Sequence, residues 1–178
     1  MSGEVLKIVI PAILVLGVVL VAGYFVIRYM RGSIKITLAK NSFNEGEQIT
    51  GSFQLTTRKE IEGNRLYVML VGKEVSKEGR GDKTRTQTRE IYRDEVTIEE
   101  AKTFASGQTM DYAFQLATPS SGGPDFLSSA LGKTLKVGME MLGGRRSYLR
   151  WIVEVRLDAK GVDLASRRKI SVNMSKIA

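Results

Sequence analysis

The sequence contains no cysteine and no histidine. The first absence excludes a disulfide framework and thiolate chemistry. The second removes the commonest general base and the commonest metal ligand together. A nucleophile–base–orienter set would have to be assembled from Ser, Lys and carboxylates alone. None stands out, so no catalytic residue, metal site or cofactor is assigned, and the chain reads as non-enzymatic. Acidic residues are also scarce: 19 Asp and Glu stand against 27 Lys and Arg, a net charge of +8. That excess points first to anionic lipid headgroups and second to an acidic protein partner. Nucleic acid is disfavoured, because the cations are spread along the chain with no reader motif.

One stretch lacks charge altogether. Ile8 to Ile27 reads IVIPAILVLGVVLVAGYFVI between Lys7 and Arg28, long enough as a helix to cross about 30 Å of hydrocarbon. A cleavable signal peptide has a shorter apolar core and small residues at its end. Here Tyr24, Phe25, Arg28 and Tyr29 close the run, as at a membrane interface. The expected anchor is 8–28, with Ile8, Ile13, Leu16, Leu20, Phe25 and Ile27 among its lipid-facing residues and Pro11 in its first turn or two. A short tail at 1–7 precedes it, and a juxtamembrane linker at 29–32 follows. Arg28, Arg31, Lys35 and Lys40 lie beyond the span, against Lys7 and Glu4 before it. The Lys/Arg excess normally stays in the cytoplasm, so the following domain is expected there.

From residue 33 the dominant period is two, the mark of half-buried strands. Ile34, Ile36 and Leu38 alternate with Lys35 and Thr37; Ile49, Phe53 and Leu55 alternate with Thr50, Ser52 and Gln54. Residues 66–71 are apolar on both parities, which places that strand centrally. A long polar strand occupies 86–99; clean alternation returns at Met110–Leu116 and Trp151–Leu157, and a last short strand fits 169–174. Seven such runs describe an all-β fold, a single antiparallel sandwich over 33–174 with a short tail at 175–178. The interval 125–142 has helical spacing instead: Phe126, Leu127, Leu131, Leu135, Met139 and Leu142 line one wide face between Pro124 and Gly143. It is expected to be an amphipathic insertion that caps the sandwich, meets a partner groove or lies on the membrane.

Weaker signals fall away. Gly132-Lys133-Thr134 mimics the end of a phosphate loop, but Leu127 stands where the first glycine belongs. Asp158 and Asp163 read as turn formers. Arg80, Lys83, Arg85, Arg89 and Arg93 form a basic series, the last four of one parity. On a regular strand they would share a face, either as a charge-protected edge or as a stripe for an acidic partner or lipid.

The strand pattern resembles the arrestin-like superfamily, in particular the arrestin amino-terminal-type domain and the bacterial sporulation-control proteins. Phe43, Glu45, Gly46, Glu47, Ile49, Gly51, Phe53 and Leu55 follow the family's opening hairpin. Leu70-Val71-Gly72, Phe104 with Gly107, Tyr112-x-Phe114-x-Leu116, Pro119, Trp151–Asp158 and Ile170-Ser171-Val172 continue it. Three departures accompany the likeness: there is room for one sandwich where two are usual, the insertion is long, and no Pro-Pro-x-Tyr motif exists. The resemblance implies a protein-binding adaptor or scaffold, here held at the membrane. The alternatives are an exported, anchored sandwich in envelope structure or ligand capture, or a sandwich lying on anionic lipid. Only the site, not the fold, can choose among them.

Overall fold

The computed structural model describes residues 3–78, 85–120 and 146–174, and within them the side chains of residues 3–9, 12, 27, 28, 78, 146 and 147 are left aside. Among the described residues one helix, α1 (Gly3–Arg31), precedes nine strands: β1 (Gly32–Leu38), β2 (Ser42–Asn44), β3 (Gln48–Thr57), β4 (Ile61–Glu78), β5 (Arg85–Glu99), β6 (Lys102–Phe104), β7 (Thr109–Ala117), β8 (Arg146–Ala159) and β9 (Leu164–Asn173). The helix is longer at both ends than the sequence suggested. No Gly or Pro interrupts residues 4–10 or 24–31, so helical hydrogen bonding continues until Gly32. The expected tail at 1–7 is therefore helical from Gly3, and the expected linker at 29–32 is replaced by helix to Arg31 and strand from Gly32. Pro11 consequently lies inside the helix rather than at its start.

The strands form two sheets, β1-β3-β7 and β2-β9-β8-β4-β5, with β6 added to β4. The fold is an all-β, antiparallel sandwich with one exception: β2 runs parallel to β9, Phe43 opposite Val172. The sequence suggested a simple opening hairpin. Instead β1 and β3 pair directly, from Gly32↔Thr57 to Leu38↔Gly51, while β2 between them crosses to the other sheet. The reason is Phe43, 1 % exposed, which packs into the core from that side. Gly46 turns the chain back with a positive φ of 70°, and its N–H donates to Pro119 O. Three-residue β2 and β6 are too short to show a period, which is why nine strands replace the seven expected.

Phe43, Phe53, Phe104, Leu66, Val68, Leu70, Trp151, Val153 and Leu157 build the core between the sheets. Phe53 stacks on Tyr112 at 5.2 Å between ring centres, an offset pairing that adds roughly 1 kcal/mol to the area it buries. β4 is central, flanked by β5 and β8. Leu66, Val68 and Leu70 enter this core, and Tyr67, Met69 and Val71 between them make a second buried cluster on the sheet's other face. The double-sided apolar run at 66–71 thus has both its faces covered. The insertion expected at 125–142, with Phe126, Leu127, Leu131, Leu135, Met139 and Leu142, lies outside the described residues, as do Arg80, Lys83 and the 175–178 tail.

Candidate functional site

Two connected regions stand out: the junction of α1 with the sandwich, and the outer face of the larger sheet. At the junction, the Arg31 guanidinium donates to Val162 O at 2.8 Å and to Lys160 O at 2.9 Å. Gly161 lies under it with φ 95°, and a Cβ there would come within 3.0 Å of Arg31 Nη1. From the other side Arg58 donates to Tyr29 O at 2.5 Å and sits 4.2 Å from the Tyr29 ring centre. The backbone N–H groups of Arg58 and Lys59 donate to Arg31 O. These bonds satisfy carbonyls that a helix end would otherwise leave bare. They also gather the turns at 58–60 and 160–163 around the point where the helix stops, while Glu45, Gly46, Pro119 and Asn173 meet at the opposite end.

On the outer face, register places Tyr67 beside Arg156, Met69 beside Glu154, and Val71 beside Ile152. Arg167 lies next to Glu154, and Lys169 next to Ile152, on β9. The apolar strip Tyr67–Met69–Val71 is 3–7 % exposed because charged side chains lie over it, their stems apolar and their heads outward. Arg65 stacks 4.1 Å from the Tyr67 ring centre and bonds Glu95 at 2.8 Å. Arg93 reaches Met69 Sδ, Glu90 and Glu95. Glu154 is the buried member, 6 % exposed. Its carboxylate accepts Arg167 Nε at 2.5 Å and Arg156 Nη2 at 2.8 Å. Burial pushes its pKa up, but the bonds from Arg167 and Arg156 outweigh this and hold it below the usual carboxylate range. Glu154 in turn raises the pKa of both arginines. A cleft of about 490 Å³ opens between this face and α1, lined by Tyr24, Arg156, Asp163, Ala165 and Arg167.

Sequence-selected residues are distributed as follows. Ile13, Leu16, Leu20 and Phe25 of α1 are all more than half exposed; the side chains of Ile8, Ile27 and Arg28 lie outside those described. Arg31 is a bonded part of the junction, Lys35 is exposed on β1, and Lys40 pairs with Glu47 and lies over Phe43 at the opposite end from the helix. The basic series does not form one stripe. Register slips between Gly72↔Tyr92 and Lys73↔Glu90, leaving Ile91 as an extra residue, buried in the core. A bulge of this kind reverses side-chain parity beyond it. Arg93 therefore faces outward opposite Val71, whereas Arg85 and Arg89 sit opposite Glu78 and Glu74 on the other parity; Arg89 bonds Glu74 at 3.2 Å. Asp163 is the turn former expected, accepting Ala159 N–H, whereas Asp158 lies within β8 opposite Arg65.

Sequence reading missed the Glu154–Arg156–Arg167 cluster. Its signal was present in part, since Ile152, Glu154 and Arg156 alternate against Val153, Val155 and Leu157. Arg167 comes from the next strand, and only register joins it. Among the described residues no group of three or more carboxylates forms a metal-binding set, and no buried side-chain nitrogen or oxygen lacks a hydrogen-bond partner.

The two sheets form an antiparallel sandwich whose arrestin-like fold rests on its likeness to a solved structure. Among solved structures, the chain is similar to Spo0M, the sporulation control protein of Bacillus subtilis, with 15 % identity and a TM-score of 0.54. The match covers 80 % of this chain and 49 % of that one, so the chain spans about half of its neighbour's length. No family model matches the chain, and no curated protein matches it. Among the described residues the chain has one helix long and apolar enough to cross a membrane, with a stretch Ile13–Arg31 of mean hydropathy 2.2 of which none is buried within the molecule.

Proposed function

We propose that the chain is a single-pass membrane protein whose arrestin-like sandwich faces the cytoplasm and works as a non-enzymatic adaptor or scaffold, binding a protein partner. The observation that carries this reading is the continuity of an exposed apolar helix with such a sandwich. A soluble protein would bury a helix of that character. Arg28 and Arg31 at the helix end support the cytoplasmic side. The absence of His and Cys from the sequence supports a binding role over catalysis. An acidic partner fits the chain's net charge.

Two experiments test the parts separately. Protease added to intact cells should leave the sandwich uncut, and reversing Arg28 and Arg31 to Glu should weaken that protection; digestion of the unmodified domain from outside refutes the cytoplasmic assignment. Photo-crosslinking from the full membrane-embedded chain should then give discrete protein adducts. A chain that crosslinks only to lipid refutes the adaptor reading.

A further inference from the structure

We infer that the outer face of the larger sheet, β8 and β9 above all, docks on an anionic bilayer surface, so that the sandwich lies along the membrane instead of standing away from it. Three observations meet here. The first is charge asymmetry. Register puts Arg65, Lys73, Arg93, Arg150, Arg156, Arg167 and Lys169 on this face against Glu90, Glu95, Glu154 and Asp158. Glu90, Glu95 and Glu154 are already engaged by arginines, and among the described residues Arg150 and Lys169 have no ion pair. The opposite outer face, on β1-β3-β7, is nearly neutral: exposed Thr37, Thr50, Ser52 and Gln54 accompany one cation, Lys35, and one acid, Asp111.

The second observation is the placement of the helix. Tyr24 lines a common cleft with Arg156, Ala165 and Arg167. Tyr24 stands seven residues before Arg31, about 10 Å along the axis, within the part of the span that meets the headgroups. A sheet face beside Tyr24 is therefore at headgroup depth. The third is the junction. Arg31 bonds the β8–β9 turn itself, so the strand pair carrying the cations is the one fastened to the helix. Lipid headgroups supply a planar array of phosphates that suits a flat cationic sheet, each cation near such a surface contributing on the order of 1 kcal/mol. The inference rests on the membrane-anchored reading but not on the side of the membrane.

The absence of cysteine makes the test direct, because any cysteine introduced is unique. Ser171→Cys and Ser52→Cys are both exposed and on opposite outer faces, seven residues along β9 from Leu164 and five along β3 from Thr57. Each full-length variant carries a donor dye and is reconstituted in vesicles with acceptor-labelled lipid in both leaflets. The vesicles are of phosphatidylcholine alone or with about a third phosphatidylserine. Transfer should be stronger from position 171 than from 52, increase with phosphatidylserine and fall at high salt. Combining Lys169→Gln with Arg150→Gln, which leaves the Glu154 cluster whole, should lower the docked-to-undocked ratio about 30-fold, the equivalent of roughly 2 kcal/mol at about 1 kcal/mol per cation. An unchanged melting midpoint in that variant would show that the fold is intact. Equal transfer from the two positions, indifference to phosphatidylserine, or no effect of the double substitution each overturns the inference. The last of these would leave the same cations to an acidic protein.

Discussion

Glu154 should be the residue through which acid unfolds this domain. It is a carboxylate 6 % exposed on a sheet face, with four guanidinium N–H contacts from Arg156 and Arg167. Hydrogen bonds to charged groups contribute about 1.5–3 kcal/mol each when well buried. The arginine side chains are 33 % and 61 % exposed, so water screens much of that sum. Glu154→Gln keeps the shape and one acceptor but loses the charge, and should cost about 2 kcal/mol at pH 7. Removing both arginines while leaving Glu154 should cost more, about 3–5 kcal/mol, since an unpaired buried carboxylate remains.

The pH dependence fixes the origin of that difference. Glu154 has a lowered pKa in the folded protein and an ordinary one, about 4.3, when unfolded. Its contribution is therefore fully present above the unfolded value and is lost as pH falls through the folded value. Urea unfolding of the full chain in detergent can be followed by Trp151, the sole tryptophan, 3 % exposed and edge-on to Tyr92. The gap between the unmodified chain and Glu154→Gln should stay constant from pH 8 to about pH 5 and close below it. A gap that persists unchanged to pH 3, or no gap at pH 7, refutes the claim that an ionised, arginine-held Glu154 stabilises the sheet.

Other outcomes follow from single contacts. Gly72→Ala would put a Cβ 2.6 Å from Trp151 Cζ3 and 3.0 Å from Tyr92 Cβ, so it should destabilise by about 1–3 kcal/mol and shift Trp151 emission. Arg93→Gln should cost about 1 kcal/mol, through Glu90, Glu95 and the cover over Met69, whereas Arg89→Gln, at an exposed pair with Glu74, should change the midpoint by less than about 0.5 kcal/mol. Equal effects would contradict the bulge at Ile91. Arg31→Ala removes both bonds to the β8–β9 turn and should broaden the spin-label distance distribution between α1 and the sandwich without moving the Trp151 unfolding midpoint by more than about 1 kcal/mol. A distribution as narrow as before would mean that Arg31 does not set the angle.

What was legible in the sequence was what depends on local period. The alternations at Ile34–Leu38, Met110–Leu116 and Trp151–Leu157 are strands with those residues inward, and the two-sided run at 66–71 is the central strand. What escaped depends on pairing between distant residues. The bulge at Ile91 can be seen only against Gly72 and Lys73, and it divides the basic series that looked continuous from Lys83 to Arg93. The crossover of β2 depends on Phe43 finding the space beside Val172, more than a hundred residues on. Arg167 joins Glu154 for the same reason. Composition had pointed to an anionic counterpart, but nothing in a one-dimensional string indicates that its cations collect on one sheet face while the other is nearly neutral.

The loss of the expected linker matters more than any single strand. On a flexible tether, a sandwich presents either face to the bilayer, and only the free energy of docking selects between them. Here α1 passes into β1 at Gly32 without an intervening loop, and Arg31 and Arg58 close on the two neighbouring turns and Tyr29. Part of the orientational entropy is thus already lost in the folded chain. On the docking inferred above, the lipid surface would act on a domain already tilted toward it, so weak exposed charges would suffice where a tethered domain would need a stronger patch. On that docking, the neutral face and the end bearing Gly46 and Pro119 turn away from the lipid, and these are the surfaces that the proposed protein partner would meet.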